Sequence, residues 1–401
     1  MSRKLHLLGI VLLATIAAAA AGAAPSATPG VTSKSILVGG TVPLSGEAAS
    51  AAGVARGADA YFQYVNARGG VFGRKITYKY LDDGYEPQRT FLAMRQLVQQ
   101  DQVFAMFNTL GTANNVAIRS FLNQAGVPQL FVASGASTFG RDYRRYPWTI
   151  GFIPTYSAEG KVYARYLLKT KPKGKIAVLY QDDDYGKELV SGLQSGLGAK
   201  KSLIVKKVGY DPTASDVRSE VAALKASKAK VFMIFAFGKF AVQAFITANQ
   251  LGWHPQIVVN DVAAATSLMQ LSPPKATEGA ISIVFGKDPD APIWKRDKGI
   301  RLFRSIMKRY AAGQTPNGYY AAGMAAAYTL VDTLKKAGKN PTRKSVMTAA
   351  THLNEKSNPF VLPGIRIHTT PSYRFPVSQV RLERWHKGHW VLFGSLLSAR
   401  P

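Results

Sequence analysis

Residues 36–76, ILVGGTVPLSGEAASAAGVARGADAYFQYVNARGGVFGRKI, contain an apolar run, a break at Pro43-Leu44-Ser45-Gly46 and an amphipathic helix, in that order. Val54, Ala58, Tyr61, Phe62 and Val65 recur at helical spacing, with Arg56, Asp59, Gln63 and Asn66 on the opposite face. Gly69-Gly70 supplies the stop signal. A strand, a loop and a helix in succession form the repeating unit of an open α/β sheet. Ligands of such sheets sit beyond the carboxyl ends of the strands, near the positive ends of the following helices. The Ser45-Gly46 loop is therefore either a candidate site or an ordinary turn, and this stretch alone leaves both readings open.

The alternation continues. Patterning predicts a helix over 87–100, a strand over 103–107, a helix over 114–123 and a strand over 127–133. A second series predicts helices over 158–170, 186–197, 217–227 and 240–251, interleaved with strands over 175–180, 203–208, 231–237 and 256–259. Alternation of this kind implies parallel strands with right-handed crossovers. Two such series give the expected fold class: α/β, with two doubly wound lobes, each a mainly parallel sheet flanked by helices. The join near Phe152-Ile153-Pro154 has no long Gly/Ser linker, so short, stiff crossings are expected. Beyond Thr277 the pattern is less regular, with a strand over 280–285, helices over 300–310 and 319–337, and a strand over 391–397. The stretch between Phe360 and Trp390 carries few helix signals.

The N-terminus reads as a targeting segment. Arg3 and Lys4 precede an apolar run from Leu7 to Ala21 and a small-x-small motif, Ala21-Gly22-Ala23. This is the pattern of a cleaved secretory signal peptide over 1–23, followed by a flexible segment over 24–34. The apolar run is too short and Ala-rich for a retained membrane anchor. The chain has no cysteine, which excludes disulfides, thiolate chemistry and the acylated cysteine of a lipoprotein. The expected location is the free periplasm. The remaining chain exceeds what one hydrophobic core usually holds, so two domains are expected.

Lysine and arginine number 51 against 23 acidic residues, for a formal charge of +28. Such a charge suggests an anionic partner or environment. Nucleic acid is not indicated, because the basic residues are scattered and no docking motif is present. Enzymatic machinery is also missing: no Gly-x-Ser-x-Gly elbow, no phosphate-binding Gly-rich loop, and no histidine near Ser134. His386 and His389 lie close together in a strand-like segment, which reads as a solvated edge rather than a metal site. No catalytic residue, cofactor or metal is expected. Asp182-Asp183-Asp184 follows a strand directly, and reads as a cap for the next helix or as a cation site. Small hydroxyl and glycine residues recur at strand ends of the first series, at Ser45-Gly46, Thr109-Leu110-Gly111-Thr112 and Ser134-Gly135-Ala136-Ser137. Three such loops at one sheet edge would gather N–H groups and hydroxyls around a carboxylate.

These features, taken in order, resemble the periplasmic substrate-binding proteins of branched-chain amino acid ABC transporters. That is the leucine/isoleucine/valine-binding family, with its type I two-lobe fold. The resemblance spans about Ile36 to His368, through Pro43-Leu44-Ser45-Gly46, Gly57-Ala58, Asn66 to Gly73, Asp82-Asp83, Gly126-Val127-Pro128, Ser134 to Ser137 and Tyr185-Gly186. It implies three hinge crossings near 153, 285 and 367, with lobe 1 over 35–153 and 286–367 and lobe 2 over 154–285 and 368–401. It also implies a ligand carboxylate held in lobe 1 at Thr112 and at Ala136 with Ser137, and the hydroxyl loops add Ser45 and Ser134. In lobe 2 it implies an aromatic wall at Tyr185 and an ammonium partner at Asp261, with Tyr320 helping to line the cleft.

The implied function is delivery of a small carboxylate-bearing ligand to an ABC permease and its ATPase, by a monomeric protein. Branched-chain or other amino acids are the family default. Larger or aromatic acids for uptake, or a sensor of the same fold acting on a signalling partner, are the alternatives. Two departures bear on the ligand. The first loop is small from Ala48 to Ala52 where relatives often carry an aromatic, which implies extra room. Asp261 stands where the family often has a longer glutamate.

Overall fold

The chain is described by a computed structural model that covers residues 28–171 and 173–401; the expected signal segment over 1–23 lies outside these residues. β1 (Ser35–Val42) alternates little because both faces are covered, and it buries Ile36, Val38 and Val42. A short 3₁₀ turn then leads into α1 (Gly53–Asn66), whose inner face carries Val54, Ala58, Tyr61 and Phe62. β2 (Lys75–Asp82), α2 (Pro87–Arg95), β3 (Ala105–Phe107), α3 (Thr112–Gln124), β4 (Gln129–Val132), the short α4 (Thr138–Arg141) and β5 (Thr149–Gly151) follow. They make a parallel sheet in the order β2-β1-β3-β4-β5. Residues 28–34 are not a loose lead-in. The Gly30 carbonyl accepts from Leu37 N at 2.7 Å, and the Thr32 hydroxyl accepts from Lys34 N and Ser35 N, so the segment folds back on β1.

The chain then enters a second sheet. α5 (Tyr156–Thr170), β6 (Ile176–Gln181), α6 (Asp184–Leu197), β7 (Ile204–Tyr210), α7 (Arg218–Lys225), β8 (Val231–Phe235), α8 (Lys239–Gln250) and β9 (Gln256–Val259) alternate. The short α9 (Thr266–Met269) and α10 (Pro274–Thr277) precede β10 (Ile281–Val284). Asp183 caps α6, its carboxylate accepting from Tyr185 N at 3.0 Å and Gly186 N at 3.2 Å, so the acidic triplet contributes a helix cap.

After β10 the chain returns to pack α11 (Lys298–Tyr310), α12 (Gly318–Ala337) and α13 (Arg343–Ala350) with the first sheet, and β11 (Asn354–Glu355) pairs with β12 (Ile367–His368). It crosses once more to add β13 (Gln379–His386) and β14 (His389–Ser398), antiparallel, to the second sheet. That sheet runs β14-β13-β10-β9-β8-β6-β7, parallel except at its β13-β14 edge. Among the described residues no helix is long and apolar enough to cross a membrane.

One buried acid in this frame has a measurable consequence. Glu355 is 7% exposed; its Oε2 accepts from Thr329 Oγ1 at 3.0 Å, and its Oε1 has no partner among the described residues. Burial pushes its carboxyl up from 4.5 to about 7. A group whose pKa rises on folding contributes its stability below the unfolded value and loses it as pH climbs through the folded one. Glu355→Gln is therefore expected to be more stable than the parent by about 2 kcal/mol at pH 8 and nearly neutral at pH 4.5, in urea titrations at the two pH values. An equal effect at both would overturn this account.

Candidate functional site

The strand orders place a switch point between β1 and β3 in one sheet and between β6 and β8 in the other. Open α/β sheets bind ligands in the crevice beyond the strand ends at such points. Here the two crevices face one another across a cavity of about 160 Å³, close to the roughly 150 Å³ that encloses a benzene-sized guest. Residues just past strand ends line it: Tyr85 after β2, Asn108 and Gly111 after β3, Tyr185 after β6, Phe237 after β8 and Asp261 after β9. The crossings contribute Phe152, Ile153, Phe285 and Lys287, and α12 contributes Tyr319.

Tyr85 and Asn108 hold positive φ, 68° and 51°, a conformation that non-glycine residues adopt mainly where surrounding structure enforces it. The enforcement at Tyr85 is visible. Its N–H donates to Asp83 Oδ1 at 3.0 Å, while buried Asp83 accepts from Thr90 Oγ1 at 2.9 Å. The Tyr85 ring then lies 5.4 Å from that of Phe237, across the cleft.

The cavity walls differ in polarity. On the first lobe, Asn108 is buried and its Nδ2 has no acceptor among the described residues. Beside it, α3 starts at Thr112 with Gly111 as N-cap and no side-chain cap, so the positive end of the helix lies next to the Gly111 stretch of the wall. On the second lobe, Asp261 and Glu383 line the cavity, and no side-chain hydrogen bond or ion pair engages either among the described residues. Glu159 lies behind Asp261, accepting from Asp261 N and Tyr163 Oη, each at 2.7 Å. Burial raises both carboxyls of this pair above the usual range, and repulsion from Glu159 adds to the rise at Asp261.

The expected site residues divide into two groups. Tyr185 and Asp261 line the cavity; the Tyr185 hydroxyl donates to Ala236 O at 3.1 Å, and its ring meets Tyr156 edge-on at 4.9 Å. Thr112, Ser134, Ala136 and Ser137 sit behind the wall formed by their neighbours Gly111 and Ala133. Thr112 and Ser134 hydroxyls bond each other at 2.7 Å, and Ser134 Oγ accepts from Ala136 N at 3.2 Å. Ser137 N donates to the Glu188 carboxylate at 3.1 Å, a contact from one lobe to the other.

Ser45 is exposed and donates to Asp82 Oδ2 at 2.5 Å, away from the cavity lining. Tyr320 packs over Gly53 and Gly57 of α1 and donates to Gln314 Oε1 at 2.8 Å. Its neighbour Tyr319 faces the cavity instead, donating to Val262 O at 2.9 Å. The small stretch over 48–52 opens no space. Ala48, Ala51 and Ala52 are buried, and Gly238 of lobe 2 abuts Glu47 and Ala48. His386 engages Glu278 at 2.7 Å, and no metal-holding cluster occurs among the described residues.

Residues 35–388 match the model of a family described as periplasmic binding protein. The Leu/Ile/Val-binding protein homolog 2 of Brucella abortus is 26% identical over 329 residues, covering 80% of this chain and 82% of its own. A branched-chain amino acid ABC transporter structure from Thermus thermophilus with bound valine superposes with a TM-score of 0.80 at 17% identity, covering 91% of this chain and 97% of the other. An R. palustris ABC transporter solute binding protein in complex with benzoate does so with a TM-score of 0.77 at 19% identity, covering 92% and 97%. The two structures share this fold and hold chemically different ligands.

Proposed function

The chain belongs to the periplasmic binding protein family, and on that premise we propose that it is the solute-binding component of an ABC importer. It closes two lobes on a small amino-acid-like ligand in the periplasm and hands it, as a monomer, to a permease and its ATPase. The moving bodies in this reading are residues 35–153 with 286–367 and residues 154–285 with 368–401.

The observation that carries the ligand class is the opposed polarity of the cavity walls. The unpartnered Asn108 Nδ2 and the α3 N-terminus present donors to a carboxylate. The Asp261 carboxyl opposite, without a partner of its own, suits an ammonium group. Tyr85, Phe152, Tyr156 and Phe237 enclose an apolar body between them. Ligand contacts on both walls exist together only when the lobes are closed, so binding favours that state by differential affinity. The Ser134 to Ser137 loop then supports the wall, and its hydroxyls and amides act through Gly111 and Ala133.

An aromatic acid is the second reading, favoured by the ring-sized, aromatic-lined cavity and by the benzoate-bound relative. Titration calorimetry with aliphatic amino acids, aromatic amino acids and benzoate separates the two. Asp261→Asn is expected to weaken α-amino ligands about tenfold, the range of one charged hydrogen bond, and to leave benzoate unchanged. Absence of heat and of thermal shift with every carboxylate would overturn both readings.

A further inference from the structure

Of 23 acidic side chains in this strongly basic chain, Asp261, Asp288 and Glu383 line the cavity, with Glu159 behind Asp261. Glu159 and Asp261 belong to the ammonium pole already described. Glu383 projects from β13, opposite Ser282 of β10, and lines the cavity beside Trp390. It is 3% exposed, and no hydrogen bond or salt bridge engages its carboxyl among the described residues. Asp288 stands near it, held by Thr266 Oγ1 at 2.6 Å and Asp290 N at 3.0 Å. Lys287, which also lines the cavity, is committed elsewhere, its Nζ pairing with Asp297 at 2.9 Å and donating to Pro359 O at 3.0 Å, and His389 is the basic group that acts on Asp288. Burial, then Asp288, then Asp261 raise the Glu383 carboxyl well above the usual range, as expected for a buried acid facing other acids.

A carboxyl this buried in an apolar wall is costly unless a cation meets it. The metal option has no support, since no set of three ligating side chains comes together among the described residues. Trp390 and Phe237 also line the cavity, and aromatic faces attract organic cations.

We propose that Glu383, with Asp288 behind it, is a second cation-binding pole of the cavity, and that the ligand is a basic amino compound bearing a second positive group. This rests on the amino-acid reading above, adding a tail charge to the zwitterion that Asn108 and Asp261 hold. An aliphatic ligand would place methyl groups against Glu383 and leave it unsatisfied.

L-lysine and L-norleucine share a backbone and side-chain length and differ at the terminal ammonium, so titration calorimetry with both is the direct test. The wild-type chain is expected to bind lysine at least about tenfold more tightly. Glu383→Gln should remove most of that advantage, and Asp288→Asn should reduce it in part. A thermal melt checks that each variant is folded, and Asp288→Asn carries the test if Glu383→Gln is not. Equal or tighter norleucine binding by the wild type, or an advantage that survives both variants, overturns the proposal while leaving the amino-acid reading intact. If neither amino acid binds, the amino-acid reading fails on its own. Cadaverine, which lacks a carboxylate, then decides the acidic pole: binding lost in Glu383→Gln supports it, and no binding overturns it.

Discussion

Gly323→Val is expected to destabilise the chain by about 3 kcal/mol or more, the upper range for overpacked positions. Gly323 lies in α12, where an added Cβ would collide with the Val54 carbonyl of α1 and come within 3.0 Å of Ala58 N. The contact is reciprocal. A Cβ at Gly57 of α1 would collide with the Tyr320 carbonyl of α12. Both obstacles are backbone, which cannot swing aside as a flexible side chain can, so relief requires the helices to separate. Separation would strip neighbours from Tyr61, Met324 and Ala325, all buried at this interface. The measurement is a urea titration in which the midpoint falls with little change in slope. Gly318→Ala on the same helix is the control, because nothing lies within 4 Å of the Cβ it would add, and it should shift stability by less than about 1 kcal/mol. A mild effect at Gly323 would mean that the helices pack less tightly than described.

That helix pair also shows what patterning can and cannot convey. The α1 face was legible because Val54, Ala58, Tyr61 and Phe62 stand against Arg56, Asp59 and Gln63. α12 offers no such contrast: Ala, Tyr, Met, Leu and Val fill most of its circumference, and it is buried on several sides. Helical periodicity therefore could not tell Tyr319 from Tyr320, and only packing against Gly53 and Gly57 assigns Tyr320 to the core. β2 carries its own signal, since Lys75, Ile76, Thr77 and Tyr78 alternate exposed and buried with a period of two. β13 is harder, since Glu383 occupies an inward position where a strand pattern calls for an apolar residue.

Strand-loop-helix units locate the crevice in the sequence, whereas Tyr185 and Asp261 come from the family resemblance and lie in the structure just beyond β6 and β9. By the same switch-point logic, Asn108 and Phe237 could have been singled out, lying one and two residues past a strand end. The hydroxyl loops stand behind the cavity lining for a physical reason. Thr112, Ser134, Ala136 and Ser137 have the groups to hold a carboxylate, but a hydroxyl or amide can bind its own neighbours as readily as a ligand. Here the first three satisfy one another, and Ser137 reaches across to Glu188. Composition cannot distinguish a vacant donor from an occupied one.

Glu188→Ala is expected to weaken ligand binding about 10- to 100-fold with no loss of fold. Glu188 projects from α6 of the second lobe and accepts from Ser137 N of the first at 3.1 Å, with Ser157 N at 3.3 Å on its other side. The bond to Ser137 exists only when the lobes are closed. A hydrogen bond to a charged group contributes about 1.5–3 kcal/mol, and its loss shifts population toward the open state, reducing apparent affinity by the same factor. The neighbouring cross-cleft pair, Lys239 with Glu47 at 2.6 Å, is too exposed to compensate.

The charge at position 188 matters less than the acceptor. Burial raises the Glu188 carboxyl despite the bonds it accepts, so desolvation of the ionised form is a cost that offsets part of what those bonds contribute, and protonation favours the closed lobes. Closure assisted by this group is thus strongest at low pH and weakens as pH rises through its raised value. Glu188→Gln keeps a carbonyl facing Ser137 N without that cost, and its affinity should stay within about threefold of wild type with a flatter pH profile. Calorimetry across pH gives the affinities, and the radius of gyration by small-angle scattering with and without ligand reports closure. Equal affinity in Glu188→Ala and wild type would show that the lobes close without this contact.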